Sequence, residues 1–574
     1  TTSEAFAIGP SRTNPLTGEI LDANILFDAS MVRYWRQENH MLLSGAPGAA
    51  GEPASLMQAT RQGWGLADAR FLPHAGEPAK GKEPTRTNLP ADPRWRLWAA
   101  RQGVCQCGTH MKYELGLAAM ALAAQNETQP GDKPATNVPD ELIGQAIKAV
   151  VMHEVGHTLG LRHNFKGSTM LKNDQLNDTN ITHQKGLVGS VMDYCPVNLA
   201  PKGVKQGDYF TTTLGPYDYW AIEYAYKPLS GGTEGELPEL EKIAARSAEP
   251  GHDYATDEDL YGSADPQVNV FDLGADPLKF AQDRLVLAQD LLKGLPERVV
   301  DKGEGYQRAR QAFTLLLGQY GNAAYLTSNY VGGVSMYRDH RDDPHGRDPF
   351  IPVPASRQRE ALKFLQETIF NDRTYQFPPQ LLRRLAADRW SHWGHDEAIA
   401  GEVEYPLHER ILSIQRVALV HLLSPDVLGR LQNSSLEADK DDSPLTPAEV
   451  FRALTEGIWG ELSAASRSGL GANRNLQMTV VRRNLQREHL KELSNLVLGK
   501  RSADAGSLWL TEPETAPADA RSLARMHLRE IGKRIDATLA DKQVMLDDTT
   551  RAHLEECQEW IARVLTASMQ IREP

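Results

Sequence analysis

Four cysteines in 574 residues are too few for the disulfide framework that holds small secreted domains together. No stretch approaches 18 uninterrupted apolar residues, so no membrane span is predicted. The most apolar segment, LGLAAMALAA at 115–124, reads as a buried helix. Positive charge is also in deficit: 62 Lys and Arg face 75 Asp and Glu, a formal charge of -13. A nucleic-acid binder would carry a basic face, so nucleic acid is not an expected partner. No G-x-S-x-G elbow occurs, which leaves serine-hydrolase chemistry without an anchor. GEPAKGKE at 76–83 nearly spells a phosphate-binding loop, but Glu83 stands where a hydroxyl is required and Pro78 falls inside the loop. The chain begins TTSEAFAIGPS, with no initiator Met and no signal peptide, and is expected to be a processed product.

The length calls for two or more domains. GEILDANILFD at 18–28 alternates, with Leu21, Ala23, Ile25 and Phe27 on one side and Asp22, Asn24 and Asp28 on the other, the pattern of a half-buried strand. Residues 73–95, rich in Pro, Gly and charge, read as a long loop. One helix is predicted around 109–125 and another from about Pro139, where Asp140 and Glu141 suit the positive end of the helix dipole. KPLSGGTEGELPE at 227–239 reads as a linker. The periodicity beyond it is helical over 277–298, 305–320, 355–370, 379–390, 406–433, 447–464, 475–498 and 519–570.

The chemistry is concentrated in VMHEVGHTLGLRHNF at 151–165. His153 and His157 stand at i and i+4, so both imidazoles point from one helical face toward a common ion. Gly160 ends the helix, because it accepts the left-handed conformation. His163 follows three residues later and completes a three-histidine set with one position open, the mark of a catalytic rather than a structural zinc site. Glu154 is placed to act as the base that a metal-activated water requires. With 17 His in the chain, all five positions of the pattern coincide by chance roughly once in ten thousand such sequences.

HEVGHTLGLRH resembles the extended zinc signature H-E-x-x-H-x-x-G-x-x-H of the metzincin metallopeptidases. SVMDY at 190–194 resembles their Met-turn and makes Met192 the methionine beneath the metal. The resemblance implies zinc as the cofactor, and makes Tyr194, two residues on, a switchable fifth ligand that helps to hold the oxyanion. Asn164 departs from the acidic residue that many metzincins carry after the third histidine. The phrases GPSRTNPLTGEILDANILF, HEVGHTLGLRHNFKGS, SVMDY, LGPYDYWAIEYAY, YATDEDLYGSADP and DLGADP resemble a bacterial group of large zinc-dependent metzincin-like proteins more closely. This implies an α/β (α+β) catalytic domain over residues 1–228, with a mixed twisted sheet and a zinc-binding helix. A large, mainly α-helical region over 229–574, in one domain or two, would follow.

Further expectations follow from the resemblance. Residues 18–28 are the candidate antiparallel edge strand, to which an extended substrate would add. Only about ten residues precede that strand, so the N-terminal strands and backing helix are expected in a separate fragment of the same precursor, held non-covalently. An extracytoplasmic location (periplasmic or secreted) is expected.

Two weaker signals were weighed. The acidic run Asp253–Asp265 could hold calcium but lacks the spacing of a calcium loop, and reads as a solvated loop. YRDHRDDPHGRDP at 337–349 reads as an exposed turn. For Cys105, Cys107 and Cys195, a disulfide and free thiols are both open. The function expected is a zinc endopeptidase acting on a peptide or protein substrate. Its rivals are a zinc amidase restricted to small or cell-wall peptides and a non-catalytic zinc-containing scaffold.

Overall fold

The computed structural model describes residues 7–8, 11–27, 107–125, 139–260, 263–387, 404–437, 443–463, 475–499 and 516–567. Strands β1 (Ala7–Ile8), β2 (Ser11–Thr13), β3 (Ile20–Ala23) and β4 (Leu26–Phe27) form one long hairpin. Arg12 pairs with Asp22, and Ile8 with Leu26. A tight turn closes it, with the Gly18 N–H donating to the Asn14 carbonyl at 2.8 Å. The single half-buried strand expected at 18–28 is therefore split in two. Leu21 is 55% exposed and Ile25 38%, because among the described residues nothing covers that face of the ribbon. Alternation records which side chains share a face, not whether anything packs on it.

Among the described residues the strands form four two-stranded ladders, β1–β4, β2–β3 and two that come later in the chain. The mixed twisted sheet expected for the catalytic part is not among them. Residues 28–106, including the loop read at 73–95 and Cys105, lie outside the described residues. Cys195 and Cys557 are free thiols, so the disulfide considered for Cys195 is not formed.

In helix α1 (Cys107–Gln125), Met111, Leu115, Leu117, Ala118, Ala119, Met120 and Ala121 are buried, so apolar side chains leave it on more than one face. It is the shared wall of two cores. Leu115 and Ala118 face a small cluster with Leu142, Ala146, Val150, Phe165, Tyr194 and Phe210. Leu117, Met120 and Ala121 face the large helical core. Helix α2 (Asp140–Thr158) buries Leu142, Ala146 and Val150 in the smaller cluster, and β1 rests against it. Each such aliphatic side chain contributes about 1.5–3 kcal/mol on burial. The stripe that anchors α2 continues one turn further as His153 and His157, so packing the helix aims the imidazoles.

Short helix α3 (Thr179–Lys185) and helix α4 (Pro216–Tyr226) follow. From residue 232 on, the segment read as a linker is instead helix α5 (Gly232–Ala244). It packs on α4 through the Trp220 indole N–H, which donates to the Ile243 carbonyl at 2.6 Å, and through Arg246 on Glu223 at 2.8 Å. Its Gly and Pro content suggested a loop, and tertiary contacts overrode that weak local preference.

Helix α6 (Asp257–Leu260) is one turn long. Helices α7 (Pro277–Leu291), α8 (Leu295–Val299) and α9 (Gln307–Ser328) lead to the hairpin β5 (Val334–Met336) and β6 (Phe350–Pro352). Then come α10 (Ala355–Phe364), which passes into a π-helical turn at Leu365–Ile369, and α11 (Pro379–Leu382). Helices α12 (Leu407–Leu422) and α13 (Pro425–Glu437) split the periodic run at 406–433, because Pro425 cannot donate to the preceding turn and starts a new helix instead. Helix α14 (Pro447–Trp459), strand β7 (Asn475–Leu476), helices α15 (Val480–Leu498) and α16 (Ala518–Ala540), strand β8 (Met545–Leu546) and helix α17 (Asp548–Thr566) complete the chain. Strand β7 pairs with β8 in parallel. Among the described residues no single helix is long and apolar enough to cross a membrane.

Candidate metal centre

Helix α2 ends in a turn that serves both the fold and the histidines. Gly160 has φ +84°. Its N–H donates to the His157 carbonyl at 3.0 Å, and the Leu161 N–H to the Gly156 carbonyl at 3.0 Å. These are the paired bonds of a Schellman motif, for which glycine is the natural pivot. The same turn brings the Leu161 carbonyl to 3.0 Å from His157 Nδ1 and reverses the chain so that His163 comes back toward the helix.

All three imidazoles are held in the same way. His153 Nδ1–H donates to the Val191 carbonyl at 2.8 Å, His157 Nδ1–H to the Leu161 carbonyl, and His163 Nδ1–H to Asp257 Oδ1 at 2.9 Å. These oxygens only accept, so each ring carries a proton on Nδ1, which leaves Nε2 as the atom that can serve as a ligand. The ligand atoms of His153, His157 and His163 all lie within 4.8 Å of one another. His157 Nε2 is buried and has no hydrogen-bond partner, an orphan that a bound cation would satisfy. Burial, reinforced by the neighbouring His157 and His163, holds His153 well below the usual imidazole range, so the ring is neutral, as a metal ligand must be. Three imidazole nitrogens, each ring braced from behind, fit a zinc ion.

The 190–194 turn packs beneath this set. Met192 is completely buried, with its sulfur over Gly156, where a Cβ would meet Sδ at 2.2 Å. The Val191 carbonyl orients His153, and the Met192 carbonyl accepts the Asn164 N–H at 3.0 Å. Asp218 on α4 braces the turn, accepting the Ser190 hydroxyl at 2.7 Å and the N–H groups of Val191 and Gly215 at 3.0 and 2.9 Å. Asp193 Oδ2 accepts the Ser168 N–H at 2.7 Å. Burial, with nearby Asp272 adding to it, pushes the Asp193 carboxyl well above its usual range. The Tyr194 hydroxyl donates to His163 Nε2 at 2.9 Å, which sets the phenol at the nitrogen facing the ion. Glu154 is fully buried, one residue beyond His153.

Gly156→Ala is expected to cost about 1–3 kcal/mol through overpacking against Met192. Thermal unfolding would measure the loss, and the Gly156→Ala/Met192→Ala double variant should cost less than the sum of its parts. Additive losses would mean that the two residues do not share this contact.

Sequence reasoning missed several supporting residues. The acidic run at 253–265 is not a solvated loop. Asp265 is fully buried, and Asp257 holds His163. Burial alone would raise the Asp257 carboxyl, but the His163 hydrogen bond and the Arg162 charge outweigh it and lower it. Asn164 is completely buried. Its side chain donates to the Asp253 carbonyl at 2.9 Å and accepts the Ala255 N–H at 3.2 Å, a two-way clamp that a carboxylate could not make. The 337–349 segment is the exposed turn expected, anchored by Arg338 on Asp259 at 2.7 Å and Arg347 on Asp253 at 2.7 Å. Asp257 lies in YATDEDLYGSADP and Asp218 in LGPYDYWAIEYAY. Both phrases carry the resemblance as whole segments, and no spacing rule marks the single carboxylate in each.

A Met-zincin family model matches residues 135–466, more than half of the chain. No curated protein and no solved structure matches it. The match opens just before α2, contains the three histidines, Met192 and Asp257, and extends into the helices that back them. The chain belongs to the Met-zincin family, a family of metzincin-type zinc metallopeptidases.

Proposed function

We propose that the protein is a zinc-dependent endopeptidase that cuts internal bonds of extended peptides. The observation that carries this reading is the convergence of three individually braced imidazoles beside the buried Glu154. A zinc ion bound there would supply Lewis acidity, polarising a carbonyl and acidifying a water. Glu154 takes the proton from the attacking water and returns it to the leaving amine. The Tyr194 O–H, already directed at this point, donates to the oxygen that becomes negative as the carbonyl is attacked. The hairpin leaning on α2 offers strand edges to which an extended substrate could add its own backbone hydrogen bonds.

The test is a peptide-library digest read by mass spectrometry, with zinc-loaded protein, after chelation, and after zinc is restored. Internal cleavage of long peptides should appear, vanish and return in step with the metal. Trimming of short peptides alone would replace this reading with a small-peptide amidase. An untouched library with zinc bound would leave only a scaffold role.

A further inference from the structure

Two of the three histidines lean on uncharged backbone carbonyls, whereas His163 leans on a carboxylate. That carboxylate comes from far along the chain, and the structure fixes it closely. Asp257 begins α6, and its segment is held on both flanks. On the inner side the Phe165 N–H donates to the Ala255 carbonyl at 2.7 Å, and Asn164 clamps residues 253 and 255. On the outer side Arg338 binds both oxygens of Asp259 at 2.8 and 2.7 Å, and Arg347 holds Asp253. The second oxygen of Asp257 faces Arg162 at 3.6 Å. His163 stands beyond the helix end, in a stretch with no helical hydrogen bonds to set its ring. Without that acceptor, only the Tyr194 hydroxyl on Nε2 and the stacked Phe165 ring would hold the imidazole.

We propose that Asp257 is the positioning residue of the metal centre. It locks His163 in the tautomer that presents Nε2 and makes that imidazole the most electron-rich of the three ligands. This rests on the reading of the three histidines as a metal centre. Asp257 acts through His163 and touches neither ion nor substrate. The 253–259 segment, with its arginine braces, thereby couples the helical part of the chain to the third ligand.

The experiment measures zinc affinity of the full chain by competition with a chelator, and records the absorption of the Co(II)-substituted protein. Asp257→Ala should bind zinc about 10–100-fold more weakly than the unaltered protein, the usual consequence of losing a ligand's supporting partner. Its Co(II) bands should also shift. Asp257→Asn keeps an accepting oxygen and should recover most of the affinity. Glu258→Ala removes a neighbouring charge that pairs with Arg162 at 2.5 Å and should bind as the unaltered protein does. If Asp257→Ala does not fold, Asp257→Leu keeps the bulk without the acceptor and replaces it. Equal zinc affinity and an unchanged Co(II) spectrum in the acceptor-less variant would overturn the positioning role. Failure of the unaltered protein to bind zinc would instead overturn the metal-centre reading beneath it.

Discussion

Replacing Glu154 by alanine should lower peptide hydrolysis by about 10²–10⁴-fold, the usual contribution of a general base, while the zinc content stays the same. The two effects separate because the residues divide the work. His153, His157 and His163 are the group that could hold an ion, and Glu154 is outside it. Complete burial keeps bulk water from substituting for its carboxylate. Glu154→Gln, which preserves size but cannot take up a proton, should be as inactive as the alanine variant. Zinc content by elemental analysis and single-peptide kinetics provide the two readouts. Undiminished hydrolysis in either variant would remove the proton-shuttle role, and loss of zinc would make Glu154 a ligand instead.

The second large effect is structural. Lys166, three residues beyond His163, is buried against the fully buried Asp265, with Nζ 2.7 Å from Oδ2. The pair is fully satisfied. Lys166 also donates to the Met336 carbonyl at 3.0 Å and lies 4.4 Å from the Tyr337 ring centre. Asp265 accepts the N–H groups of Met336 and Gln267, each at 2.9 Å. Lys166→Met keeps the volume but leaves a buried carboxylate without its cation, a loss of about 3–5 kcal/mol. Denaturant unfolding would measure it. Lys166→Met/Asp265→Asn removes both charges and should recover part of the loss. A single variant as stable as the unaltered protein would show that the pair contributes nothing net. Because Phe165 stacks on His163 at 5.2 Å, loosening Lys166 should also weaken zinc retention.

Much of the site was legible before any coordinates, because its geometry is local. The i, i+4 spacing of His153 and His157 determines their common face once a helix forms. Gly160 determines where the helix stops, and its positive φ is what a residue with a Cβ rarely adopts. The apolar stripe on α2 was equally plain, since it repeats with the helix period. The partners of these residues were not legible. Asp257 and His163 are 94 positions apart, and Arg338 and Asp259 are 79 apart. Nothing in a linear pattern of charges says which carboxylate folds back onto which imidazole. The charge run at 253–265 reads as solvated for that reason, and GGTEGELPE reads as a linker because its local preferences are weak.

The sequence by itself determined the chemistry on offer: three nitrogens, one carboxylate and a methionine turn, each set by short-range spacing. Only the tertiary structure decided how each of them is held. Val191, Leu161 and Asp257 fix the tautomers, Asp218 supports the methionine turn, and Asn164 replaces an acidic residue as a clamp. The physical reason is range. Backbone geometry is written within a few residues, whereas a buried polar group must find its partner wherever the packed core brings one within hydrogen-bond distance.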